Sequence, residues 1–165
     1  MSHQPVIDGL EFARAGSKLR GAWPVAEFQR LRDVLRAEIG TLHFELHGVP
    51  EAQGRPALRL QVQGALQLTC QRCLGALEFR LQIDAALRLA ESQAEIDAEP
   101  LEAEGPESIV AGREMQVRLL VEDEVLLAIP IAPRHDACAG GAARVAGEGQ
   151  RPFAGLRGLV DRTRH

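Results

Sequence analysis

Leu58-Arg59-Leu60-Gln61-Val62-Gln63-Gly64-Ala65-Leu66-Gln67-Leu68-Thr69 alternates apolar and polar side chains, with one break at Gly64-Ala65. A period of two places Leu58, Leu60, Val62, Leu66 and Leu68 on one face and Arg59, Gln61, Gln63 and Gln67 on the other, as a strand with one buried face requires. A glycine inside such a run marks a bend, so the strand is expected to curve at Gly64. Leu77, Phe79, Leu81, Ile83, Ala85, Leu87 and Leu89 repeat the pattern against Glu78, Arg80, Gln82, Asp84 and Arg88. The two runs read as a long antiparallel hairpin whose connection holds Cys70, Gln71, Arg72, Cys73, Leu74 and Gly75.

Towards the N-terminus, Leu42, Phe44 and Leu46 alternate with His43, Glu45 and His47, which predicts a further strand before a Pro50 to Pro56 loop. Val25, Phe28, Leu31 and Leu35 follow Pro24 at helical spacing, predicting an amphipathic helix over 24–38 with Arg30, Arg32 and Arg36 on its solvated face. Towards the C-terminus, Glu91 to Gly112 carries seven acids and no base, and reads as an acidic mobile loop. Met115 to Ile129, stopped by Pro130, predicts a second helix over 115–128. On its wheel Val117, Leu120, Val121, Val125 and Ala128 share an arc, and Glu124 falls inside it. A buried carboxylate there needs an arginine partner or a proton. A rim position that lets Glu124 reach water is the alternative.

The fold class expected is α+β: a curved antiparallel sheet with partial barrel curvature, covered by the two helices. Residues 1–138 form one domain in this reading, with 91–112 as its acidic loop. Residues 139–165 form a Gly/Arg-rich flexible tail with one apolar knot, Pro152-Phe153-Ala154-Gly155-Leu156.

The chain has 165 residues, 45% of them hydrophobic, enough for one core without staples. Met1 to Leu10 lacks a basic run followed by an apolar stretch, and no window approaches the roughly 20 apolar residues of a membrane span, so a cytoplasmic protein with no membrane partner is expected. The net charge of −4 becomes +3 once the seven acids of 91–112 are set aside, and Lys18 is the only lysine. Arginine pairs bidentately with phosphate, although codon preference explains the bias more simply.

Three cysteines are an odd set, and the Cys70-x-x-Cys73 spacing suits a metal or redox pair better than a disulfide framework. With His135-x-x-Cys138 it could supply the four N/S donors of a closed, structural zinc site. In the competing reading Cys70 is a small hydrophobe in phase with the core, and His135 and Cys138 are loop residues. A thioredoxin-like role fits poorly, because the pair lies between antiparallel strands and not at the start of a helix. There is no phosphate-cradling glycine loop and no nucleophile elbow, and tyrosine is absent. Glu122, Asp123 and Glu124 fan apart by about 100° each on a helix and cannot converge on a substrate. No enzyme and no small-molecule substrate is expected.

The Cys70-Gln71-Arg72-Cys73 tip, the run from Leu120 to Pro130 with Val121-Glu122-Asp123-Glu124 at its start, the following Pro133 and His135, and the Phe153 segment together resemble the YceD family, the large ribosomal RNA subunit accumulation proteins. The resemblance implies a bacterial-type cytosolic factor, without a known catalytic activity, needed for 23S ribosomal RNA accumulation and large-subunit production. Its signature falls on Cys70, Arg72, Cys73, Glu122, Asp123, Glu124, Pro130, Pro133, His135 and Phe153. The implied partners are ribosomal RNA or a large-subunit ribosomal or assembly protein. A structural adaptor that binds a protein and affects RNA indirectly is the competing class.

Overall fold

The computed structural model describes residues 5–52, 54–99 and 105–138. In chain order these form β1 (Val6–Ile7), α1 (Gly9–Arg14), β2 (Lys18–Pro24), a 3₁₀ turn (Val25–Glu27), β3 (Thr41–Ala52), β4 (Arg55–Thr69), β5 (Ala76–Ala90), α2 (Gln93–Asp97), β6 (Glu107–Val110), β7 (Met115–Gln116) and α3 (Val117–Ala128). The fold is α+β. A five-stranded sheet has the order β2-β3-β4-β5-β6, antiparallel except for the parallel β5–β6 pair, and its edge strands β2 and β6 do not pair with each other. β1 and β7 form a separate two-stranded ribbon.

The register follows the alternation in the sequence. Phe44 faces Val62, which faces Ile83, and Leu46, Leu60 and Ala85 form the next rung. Leu42, Leu46, Leu58, Leu60, Val62, Leu66 and Leu68 are fully buried on the inner face. Trp23 stacks on Phe44 with ring centroids 4.3 Å apart, and Val117, Val121 and Val125 of α3 join the same core. The β3–β4 ladder ends at His43–Gln63, where Thr41 and Leu42 pass across Gly64. A Cβ at Gly64 would lie 2.6 Å from Leu42 Cδ2 and 2.8 Å from the Thr41 carbonyl oxygen, so the close approach of the backbones requires glycine.

Four segments differ from the reading of the sequence. The helix expected over 24–38 is a single 3₁₀ turn followed by further turns. Val25, Phe28 and Leu31 are spaced by three, which suits successive i→i+3 turns as well as a helix. The bonds Phe28 N–H to Val25 O (3.1 Å) and Val34 N–H to Leu31 O (3.0 Å) are of that kind. The expected Pro50 to Pro56 loop is instead a tight hairpin between β3 and β4, with a register irregularity between Val49 and Ala52. The acidic segment holds α2 and β6, because its charge is met from outside: Arg55 pairs with Glu95 at 3.1 Å, and Glu99 receives Arg88 at 3.0 Å and the Ser108 hydroxyl. The second helix begins at Val117, because Met115 and Gln116 pair with β1.

Candidate metal centre

β4 carries its inward alternation through Leu66 and Leu68 to Cys70, which is fully buried. The chain then reverses: Leu74 N–H donates to Cys70 O and Cys70 N–H to Gly75 O, both at 2.9 Å. Leu74 closes this knuckle with a left-handed φ of 59°. Arg36 braces it from the side, donating its backbone N–H to Gln67 O (2.7 Å) and its guanidinium to Leu74 O (3.1 Å).

The second half arrives from α3. Ile129, before Pro130, is extended, as the ring of a following proline demands, and the helix stops there. The chain crosses to the hairpin tip, where Gln71 N–H donates to the carbonyl of buried Pro133 at 2.8 Å. His135 Nε2 bonds to Ala76 O at 2.9 Å. That bond places the proton on Nε2 and turns the lone pair of Nδ1 towards the thiols.

The Sγ atoms of Cys70, Cys73 and Cys138 and a ring nitrogen of His135 all lie within 4.8 Å of one another. The separations are 3.7 Å for Cys70 Sγ–Cys138 Sγ, 3.5 Å for Cys73 Sγ–His135 Nδ1 and 3.8 Å for Cys138 Sγ–His135 Nδ1. A tetrahedral ion with ordinary Zn–S and Zn–N bonds sets its donors about 3.8 Å apart for S···S and about 3.6 Å for S···N. The donor set therefore fits zinc in kind and in spacing. Four protein donors leave no coordination position for water, the arrangement of a structural site.

The surrounding groups favour thiolate at Cys70 and Cys138. Burial pushes Cys70 up, but backbone N–H groups of Cys73, His135 and Arg72 outweigh it and hold the thiol at about 5. Burial likewise opposes ionisation of Cys138, which is nevertheless lowered by Arg72, whose Nε donates to Cys138 Sγ at 2.9 Å, and by His135. His135 is raised, chiefly by its bond to Cys138. Cys73 is raised: the Gly75 N–H pulls it down, but burial and the neighbouring thiols prevail.

The protein-family model described as Large ribosomal RNA subunit accumulation protein YceD matches residues 58–159, more than half of the chain. The chain belongs to the YceD family. No curated protein and no solved structure matches it. The YceD match begins in β4 and takes in the hairpin, α3 and all four donor residues.

The other residues read from the sequence as a signature separate in space. Arg72 stands at the donor cluster, Pro130 ends α3 and Pro133 is a buried strut, whereas Phe153 lies outside the described residues. Glu124, read from the sequence as the candidate buried carboxylate, is half-buried, and no arginine pairs with it among the described residues. The buried acid is Glu122, 3% exposed, whose Oε1 accepts the Arg30 backbone N–H at 2.7 Å. Asp123 pairs with the Arg30 guanidinium. Arg118 donates to Glu27 O at 2.7 Å, so one loop is held from two successive turns of α3. The missed signal was the i, i+4 spacing of Arg118 and Glu122 beside the valine stripe.

Proposed function

We propose that the chain is a non-catalytic factor supporting 23S ribosomal RNA accumulation and large ribosomal subunit production in the cytoplasm, and that Cys70, Cys73, His135 and Cys138 hold one structural zinc ion. The family match through residues 58–159 carries the first part. The tetrahedral spacing of the four donors supports the second. When bound, zinc would tie the β4–β5 knuckle to the segment after α3, and Arg72 would offset the surplus negative charge of three thiolates on a divalent ion.

The direct partner in this reading is ribosomal RNA or a protein of the large subunit. Arg30 and Arg32 are engaged by Asp123 and Glu38, and Arg36 and Arg72 by Leu74 O and Cys138 Sγ, so a charge reversal at any of the four that abolishes RNA crosslinks counts as direct contact only where the fold is retained. The reading is tested in cells lacking the gene. The ratio of 23S to 16S ribosomal RNA and the free large-subunit peak should fall, and the wild-type chain should restore both. An unchanged ratio overturns the reading. Metal analysis should find close to one zinc per chain, and a preparation folded without metal would remove the zinc assignment.

A further inference from the structure

α3 is buried on one side only. Val117, Val121, Glu122 and Val125 are buried, which leaves an arc at the rim of that face, with Leu120 and Glu124 half-buried and Leu127 exposed. That arc lines a groove of about 290 Å³ between α3 and the β5–β6 end of the sheet, with Leu87, Ile109 and Leu126 completing its apolar surface. Leu127 is 71% exposed there. Glu107, Asp123 and Glu124 also line the groove, with Arg30 as the single base. Arg30 is spent on Asp123, so two negative charges remain in surplus. The crowding is felt by Glu124, whose pKa is raised by burial and then by Glu107 and Asp123.

An occupant of this groove must bring apolar side chains and two positive charges. The sequence contains such a stretch outside the described residues: Arg151-Pro152-Phe153-Ala154-Gly155-Leu156-Arg157, two apolar anchors between two arginines. The family match runs through it to residue 159, and none of the four donor residues belongs to it. Its reach is sufficient. The His135 ring is fixed to Ala76 at the start of β5, and Leu87 lies eleven residues further along that strand, about 36 Å at strand rise. The fifteen residues from Cys138 to Phe153 can span up to about 50 Å.

We propose that residues 151–157 dock in this groove of their own chain, with Phe153 and Leu156 on the apolar surface and Arg151 and Arg157 at the acidic rim. The inference goes beyond the ribosomal reading and is tested apart from it, by NMR on the isotope-labelled full chain. The expected result is a set of nuclear Overhauser contacts between the Phe153 ring and the methyl groups of Leu120 or Leu127. Glu107→Lys combined with Glu124→Lys should abolish them and return the amides of 151–157 to unstructured shifts, with the Val62 and Leu66 amides unmoved. Conversely, Phe153→Ser with Leu156→Ser should shift the Ile109, Glu124 and Leu127 amides and leave those of Val62 and Leu66 unmoved. Unstructured shifts for 151–157 in the wild-type chain overturn the proposal. So do contacts that appear only between differently labelled copies, which would assign the groove to a second chain.

Discussion

Glu122 and Glu124 stand two residues apart on one helix and experience opposite surroundings. Glu122 is nearly sealed from water but has a backbone donor at 2.7 Å, which compensates the lost solvation. Glu122→Ala should therefore leave the Arg30 N–H without its acceptor and cost about 1–3 kcal/mol, read from the urea midpoint at constant m-value. Glu124 has no such donor among the described residues, and burial, Glu107 and Asp123 raise its pKa. An acid whose folded pKa is raised binds its proton more tightly when folded, so its contribution to stability declines as pH rises through the interval between unfolded and folded values. Glu124→Gln should accordingly stabilise the chain at pH 7, by less than about 1 kcal/mol after solvent screening, and the gain should vanish below the ordinary glutamate range. Urea midpoints of both proteins at pH 4 and pH 7 check the sign.

Among the elements, the β4–β5 hairpin was legible from the sequence because a period of two has few competing explanations over fifteen residues, and the paired runs come out in register from Ala57–Arg88 to Thr69–Ala76. Gly64 was legible as an irregularity, and its packing explains it. Gly64→Ala would drive a methyl group into Leu42 and the Thr41 carbonyl, and should destabilise by about 1–3 kcal/mol, measured by the shift in urea midpoint. The 24–38 region was misread because a spacing of three belongs equally to a helix and to a string of turns. What chooses the turns is long-range: the Arg36 N–H bond to Gln67 and the Ala37–Gln67 bridge draw this segment to the end of β4. The helix 93–97 and strand 107–110 were hidden for a similar reason, since Arg55 and Arg88, which meet their acids, stand outside the acidic stretch, one at the distant start of β4 and the other near the end of β5. The four donor residues were legible by type. Their convergence was not, because the length separating the two halves says nothing of where the fold returns the chain.

At the scale of the molecule, the donor cluster lies at one end of a long sheet, joining the knuckle to a segment that reaches it only after α2, β6, β7 and α3 have been formed. Besides any metal, the segment after α3 is held there by the Gln71–Pro133 and Ala76–His135 hydrogen bonds, whereas the centre of the hairpin rests on fully buried Leu58, Leu60, Val62 and Leu66. A metal ion at the cluster would act as a cross-link closing a long loop, worth up to about 4 kcal/mol by the chain-entropy argument. Removing it should loosen the end without melting the core. Addition of a strong chelator should therefore lower the melting temperature and speed amide exchange at residues 69–76 and 133–138, with 58–66 still protected below the transition. Cys138→Ser should give the same exchange pattern without chelator. Exchange that rises uniformly over the sheet would show the core to depend on the metal, and exchange unchanged at both segments would show that no metal holds them.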